Sequence, residues 1–299
     1  MWKLDNYRGI CIGSTIGKIF TCIIGQRLYK LVENENWLGE IQGGFREDRA
    51  TTDNIYIVNQ IIEMTRKKKE KLYIAFIDLR KAFDRVWRKG MWKKLKALGI
   101  DGKFINIVKN LYQNTKKKVK TIHGYTEWVE YDIGVKQGCV LSPLLFSIYM
   151  MDMGKRLEEL GIGYSIENEI LPGIFFADDI VIMAKTKEEL MKQIEVIEEY
   201  NKKWKLETNM EKSKILIIGG NDKGEMIIKI GEREIGKMEI TNWAKYLGVK
   251  FGNKNSFKIH KTKNLEDVHR MVRDAKITAE ETGEIELTMS VIWNTEIKS

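Results

Sequence analysis

The sequence predicts an α+β chain folded as one compact unit with subdomains, and three observations predict it. Residues 72–79 and 175–184 are almost continuously apolar, as strands buried on both faces are. Around them apolar side chains recur at helical spacing. Two prolines only, Pro143 and Pro172, and no Ser/Gly/Pro-rich linker argue against a string of independent modules.

The 299 residues, 43% hydrophobic and 31% charged, suffice to bury a core and exclude disorder as the default. A formal charge of +9 favours phosphate-rich partners through counterion release, although solvated lysine faces produce the same balance. Cys11, Cys22 and Cys139 form no Cys-x-x-Cys, and His123, His260 and His269 are scattered, which argues against a disulfide framework or a zinc site. Without a run of 18 apolar residues or a basic-then-apolar leader, the expectation is an intracellular chain away from membranes.

Taken in order, Asn6-Tyr7-Arg8-Gly9-Ile10 reads as a short extended piece. Ser14-Thr15 offers an N-cap to an amphipathic helix carrying Ile16, Ile19, Phe20, Ile23, Ile24 and Leu28. Gln42-Gly43-Gly44-Phe45-Arg46-Glu47-Asp48-Arg49 is a turn leading into a second helix with Ile55, Val58, Ile61 and Ile62 on its buried side; Arg46 and Arg49 either meet phosphates or are solvated loop charges. The strand at 72–79 has one charge, Asp78, which either serves chemistry or caps the following helix of Phe83, Val86, Trp87, Met91, Leu95 and Leu98. Ile100-Asp101-Gly102 ends that helix, and Phe104, Ile107, Val108, Leu111 and Tyr112 mark another.

Lys116-Lys117-Lys118-Val119-Lys120 opens a stretch of β character through Thr126, Trp128, Val129 and Tyr131, either tracking a nucleic-acid backbone or forming a solvated edge. Residues 133–146 are a glycine-punctuated loop running into an apolar helix through Tyr149 and Met150. Gly138 allows backbone to approach a ligand, and Gln137 beside it is a neutral donor and acceptor. Thr186-Lys187-Glu188-Glu189 is a capping box for a helix burying Leu190, Ile194, Ile197, Tyr200 and Trp204. Strands follow at 215–218 and 226–230, and Trp243 to Val249 ends the sheet region; beyond, Val268, Met271, Val272 and Ala275 suggest a helix.

Within this frame Phe176-Ala177-Asp178-Asp179 is the chemical signal. Asp-Asp is a poor tight turn, which prefers Asn-Gly or Asp-Gly, and a good pair of metal ligands. Strands side by side would bring Asp78, Asp178 and Asp179 to one spot, where three like charges need compensation. Oxygen-only ligands select a hard cation, Mg²⁺ before Zn²⁺. Two such ions suit in-line phosphoryl transfer. A metal-dependent nuclease built on the same carboxylates is the competing chemistry.

Asn6-Tyr7-Arg8-Gly9-Ile10, Gln42 to Arg49, Phe76-Ile77-Asp78-Leu79-Arg80-Lys81-Ala82-Phe83-Asp84, Gln137-Gly138-Cys139-Val140-Leu141-Ser142-Pro143, Phe176-Ala177-Asp178-Asp179, Asn209 to Lys214 and Tyr246-Leu247-Gly248 follow one another in a recognisable order. In this the chain resembles the reverse transcriptases of non-LTR (LINE-type) retrotransposons, themselves similar to group II intron and telomerase enzymes. The resemblance implies a right-hand polymerase with fingers, an antiparallel-sheet palm backed by helices, and a short or partial helical thumb. Fingers and palm are expected over 1–255, and a partial thumb or frayed segment over 256–299. It implies an RNA-directed DNA polymerase using an RNA template, a DNA primer or target, deoxynucleoside triphosphates and two Mg²⁺ ions, with Mn²⁺ as a possible substitute, in the nucleus or cytoplasm.

On the same resemblance Asp78, Asp178 and Asp179 are catalytic and metal-binding, with Asp78 and Asp178 the principal ligands. Leu79 by its backbone, with Arg46 and Arg49, holds the triphosphate. Phe83 excludes the sugar 2′-OH, Gln137 contacts nucleotide or template, and Lys212 assists the pyrophosphate leaving group. Phe176 stands where tyrosine is commoner. The expectation for the ends is a chain with no upstream endonuclease and a short thumb, for which a truncated or domesticated RNA-binding relic is the alternative.

Overall fold

The computed structural model describes residues 11, 13–121, 124–166, 169–220 and 222–253. The first helix, α1 (Thr15–Asn34), starts at Ser14, whose hydroxyl accepts the Gly17 N–H. Ile24, Leu28 and Val32 are buried, whereas Ile16, Ile19, Phe20 and Ile23 are exposed, so the covered face is only part of its apolar surface. In α2 (Thr51–Lys68) the Asp53 carboxylate accepts the Ala50 N–H at 2.7 Å, and Val58, Ile61 and Ile62 are buried.

β1 (Leu72–Asp78) is covered on both faces, as its unbroken apolar run predicts: Leu72, Ile74 and Phe76 enter one core, Ala75 and Ile77 the other. After it the spacing predicts one helix. The chain instead forms α3 (Ala82–Arg85) and α4 (Arg88–Ala97), because the Phe83 and Val86 carbonyls accept N–H groups of Val135 and Gly134 instead of extending a helical ladder. The N-cap positions fall to Lys81 and Trp87, so Asp78 caps neither helix.

Asp101 caps α5 (Gly102–Tyr112) through the N–H groups of Lys103 and Phe104. A two-stranded arm follows, with β2 (Lys116–Lys117), β3 (Lys120–Thr121), β4 (Gly124–Tyr125) and β5 (Val129–Glu130) pairing as β2 on β5 and β3 on β4. α6 (Leu141–Glu159) is apolar nearly all round and correspondingly central, with Leu145, Phe146, Ile148, Tyr149 and Met153 fully buried.

Two hairpins come next, β6 (Tyr164–Ile166) with β7 (Glu169–Leu171) and β8 (Gly173–Phe176) with β9 (Asp179–Ala184). The Thr186 and Glu189 capping box starts α7 (Lys187–Trp204), which buries Leu190, Ile194, Ile197 and Tyr200 as the periodicity predicts and leaves Trp204, at its end, only half-buried. β10 (Lys214–Ile218), β11 (Gly224–Ile230), β12 (Arg233–Thr241), β13 (Trp243–Tyr246) and β14 (Val249–Gly252) complete the described chain.

Six strands form the main sheet in the order β11-β12-β10-β1-β9-β8, antiparallel except for β10 with β12. Ile24, Met91, Val108, Phe146 and Ile194 bring α1, α4, α5, α6 and α7 against one face. Val58, Ile62, Tyr246 and Phe251 bring α2 and the β13–β14 hairpin against the other. Each fully buried Ile, Leu or Phe contributes about 1.5–3 kcal/mol by leaving water, which holds β1 and β9 rigidly at the centre. Among the described residues no helix is long and apolar enough to cross a membrane. The 6–10 segment and the expected helix near Val268 to Ala275, with the whole of 256–299, lie outside the described residues.

Candidate active site

The antiparallel register sets Asp78, the last residue of β1, directly opposite Asp179, the first of β9. Opposed residues share a sheet face with their Cβ atoms about 5 Å apart, and like charges so placed repel. Phe176 also pairs with Asp179, so the turn between β8 and β9 consists of Ala177 and Asp178. The sequence pattern puts Asp178-Asp179 at the tip; the structure moves the turn back by one residue and leaves Asp179 in the strand.

Ala177 takes a left-handed φ of 59°, a conformation that costs a non-glycine residue about 1 kcal/mol. A built frame offsets this. The buried Gln42 Oε1 accepts the Ala177 N–H at 3.0 Å and the Gly44 N–H at 2.8 Å, while its Nε2 donates to the Ala177 carbonyl at 3.5 Å. Gly43 N–H donates to the Phe175 carbonyl at 2.9 Å, and Asn54 Nδ2 from α2 donates to that carbonyl and to Tyr246 Oη, both at 3.1 Å. A Cβ on Gly44 would lie 2.3 Å from the Ala177 nitrogen, so only glycine fits there.

Asp78 is held through its backbone. Its N–H donates to the buried Ser213 Oγ at 3.1 Å, and its carbonyl accepts the Asn209 N–H at 2.8 Å. Asn209 also accepts the N–H groups of Lys212 and Ser213 on its carbonyl, which curls the Asn209-Met210-Glu211-Lys212-Ser213 loop against the end of β1.

These elements enclose a cleft of ≈ 520 Å³. Asp78, Leu79, Phe83, Gln137, Asp178 and Lys212 line it, all from the sequence-derived candidates, together with Phe45, Arg80, Lys81, Gly138 and Asn209. Phe83 forms a packed wall: its ring stacks on Phe146 at 4.6 Å and meets Phe45 edge-on at 6.1 Å. Gly138 adopts a φ of 99°, the conformational freedom its loop requires.

Three candidates fall outside the lining. Arg46, its side chain 8% exposed, grips Glu33 with Nε at 3.0 Å and Nη2 at 2.8 Å and donates to the Gly39 and Gln42 carbonyls; the hydrogen bond to Glu33 raises its pKa. It braces the Gln42 turn against α1. Arg49 pairs with Glu40 at the surface. Asp179 is not among the residues lining the cleft, and its charge adds to the burial that raises the Tyr246 phenol.

The role of Gln42 was not legible from local pattern, because its partner lies 135 positions away. Arg80 and Lys81 were available as a signal, two adjacent cations separated from Asp78 only by Leu79. Arg80 is paired with Glu207 at 3.3 Å.

Among the described residues no group of three or more His, Cys, Asp or Glu side chains gathers in metal-holding geometry. The donor set nonetheless fits Mg²⁺. That ion is held by one or two carboxylates and completes its shell with water and substrate phosphates, and the cleft presents Asp78 and Asp178 with basic groups for those phosphates.

Residues 3–251 match the family model described as reverse transcriptase (RNA-dependent DNA polymerase). The chain is 28% identical over 254 residues to the Pol polyprotein of the type-1 retrotransposable element R2 of Nasonia vitripennis, covering 83% of this chain and 24% of that one. It is 30% identical over 217 residues to the RNA-directed DNA polymerase from mobile element jockey of Drosophila funebris, covering 70% and 23%. It thus spans about a quarter of the length of these relatives. Among solved structures, apo telomerase from Candida Tropicalis truncated from its C-terminal domain superposes with a TM-score of 0.53 at 14% identity, covering 79% of this chain and 44% of that one. The fold is accordingly the right-hand polymerase fold, and the chain belongs to the reverse transcriptase family, with relatives among non-LTR retrotransposons.

Proposed function

We propose that this chain is the fingers and palm, over 1–255, of an RNA-directed DNA polymerase that extends a primer 3′-hydroxyl on an RNA template, with 256–299 contributing part of a thumb. The observation that carries the reading is the convergence of Asp78 and Asp178, a hundred positions apart, in one cleft with Phe83, Gln137 and Lys212. Two bound Mg²⁺ ions would supply charge neutralisation at the attacking and leaving oxygens of the in-line displacement.

The chain's own residues then have distinct tasks. Asp78 and Asp178 hold the cations, with Asp179 opposite Asp78 adding negative field. The backbone after Asp78 and the side chains of Lys81 and Lys212 face the triphosphate, where Lys212 offsets charge building on the departing pyrophosphate. Phe83 closes the sugar side. Arg46 and Arg49, by their ion pairs, support the fingers instead of contacting phosphate directly.

Primer extension on an RNA template with deoxynucleotides and Mg²⁺, run beside Asp178→Ala, tests the reading. Metal-dependent extension by the unmodified chain, lost in the variant, is expected. Tight RNA binding without extension would return the non-catalytic RNA-binding reading, and template cleavage without extension the nuclease.

A further inference from the structure

The arm formed by β2 to β5 projects from the body with its aromatic side chains uncovered. Tyr125 and Trp128 are 62% and 59% exposed, and Lys118 Nζ sits over both rings, 4.2 Å and 4.9 Å from their centroids. Packing within the arm accounts for the lysine between the rings. It does not account for two large rings left more than half in water on a two-stranded element with little core of its own.

The base of the arm is rigid. Arg88 of α4, itself buried, donates to the carbonyls of Tyr112, Tyr131, Ile133 and Gly134 and to Thr115 Oγ1, at 2.8–3.3 Å. From β5 the chain passes through Gly134 and Val135, which are tied to Val86 and Phe83, directly into Gln137 and Gly138 of the cleft wall. The exposed rings are thus carried on a support continuous with the catalytic cleft.

Charge selects the partner. Residues 116–130 hold four lysines against Glu127 and Glu130, a balance suited to a polyanion and not to an apolar protein face. Exposed rings interleaved with cations are the pattern of single-strand binding, in which bases stack on aromatic faces and cations follow the phosphates. A duplex keeps its base faces covered and has nothing to offer the rings.

We propose that Tyr125, Trp128 and Lys118 form a binding site for single-stranded polynucleotide; calling that strand the template rests on the polymerase reading above, whereas the binding itself does not. Fluorescence anisotropy with labelled single-stranded RNA, single-stranded DNA and blunt duplex tests it, using Tyr125→Ala, Trp128→Ala and Trp128→Phe in the full chain, each checked for an unchanged melting midpoint. Each alanine variant is expected to lose about tenfold in single-strand affinity, with Trp128→Phe retaining most of it and duplex affinity unmoved. Unchanged single-strand binding by the double alanine variant, or an equal loss on duplex, overturns the proposal. Primer extension by the same proteins separates the two readings: ring-dependent binding in a chain that does not extend primers leaves the arm assignment standing and removes only the polymerase.

Discussion

Gln42 and Ala177, 135 positions apart, share a buried hydrogen bond of 3.0 Å from the Ala177 N–H to the Gln42 side-chain oxygen. The turn that carries Asp178 is therefore positioned by a loop of the N-terminal half of the chain. Replacing Gln42 with methionine keeps the volume and strands two N–H donors, at about 1–3 kcal/mol for each buried unsatisfied group. We expect Gln42→Met to lower the single-turnover extension rate far more than primer–template affinity, and Gln42→Glu, which keeps the accepting oxygen but loses the donor to the Ala177 carbonyl and buries a charge, to recover only part of that rate. Equal rates for all three proteins would remove Gln42 from any positioning role.

Gly44 supports the same turn by having no side chain. The 2.3 Å approach of an added Cβ to the Ala177 nitrogen is to backbone, which has no flexible end to yield. Gly44→Ala is expected to destabilise by about 1–3 kcal/mol, read as a lower urea midpoint, and to abolish extension. Gly102→Ala, where nothing lies within 4 Å, is the control and should leave both unchanged.

Phe83 stacks on Phe146 while facing the cleft, so its ring both packs and limits space. Phe83→Ala is expected to reduce discrimination against ribonucleotides by about tenfold in single-nucleotide incorporation. Phe83→Leu, which retains apolar contact with Phe146, separates lost selectivity from lost folding. An unchanged deoxy-to-ribo ratio in a folded Phe83→Ala protein would assign the ring to packing alone.

Lys94 is a buried cation far from the cleft chemistry. Its Nζ donates to the Tyr149 carbonyl at 2.6 Å and to Tyr200 Oη at 2.9 Å, pairs with Asp152 at 2.9 Å, and lies 4.2 Å from the Trp204 ring centroid. Burial lowers its pKa to about 8 despite Asp152. A base depressed on folding destabilises in full below its folded pKa, and that loss is relieved as pH rises toward the unfolded value of about 10.4. The stability of the unmodified chain should therefore rise relative to Lys94→Met between pH 8 and 10, by on the order of 2 kcal/mol. Parallel pH profiles from urea denaturation would refute this.

Local pattern carried a good part of the architecture. The nearly continuous apolar runs of residues 72–79 and 180–184 made both central strands legible, and Thr186 with Glu189 marked the start of α7 by a capping interaction spanning only three residues. Asp78 stood out as a charge near the end of an otherwise apolar strand, and Asp178 as half of an Asp-Asp pair set between apolar runs; both are visible without any partner.

What the sequence by itself determined is which residues are chemically out of place in their surroundings, and that led to Asp78, Asp178 and the family order of motifs around them. Tertiary structure alone decided where the turn falls, that one expected helix splits at Val86, that Arg46 is spent on Glu33, and that Gln42 holds the Ala177 peptide. Periodicity and capping are interactions between near neighbours in the chain. Register, ion pairing and the supply of hydrogen-bond partners to a strained turn depend on groups that only folding brings together.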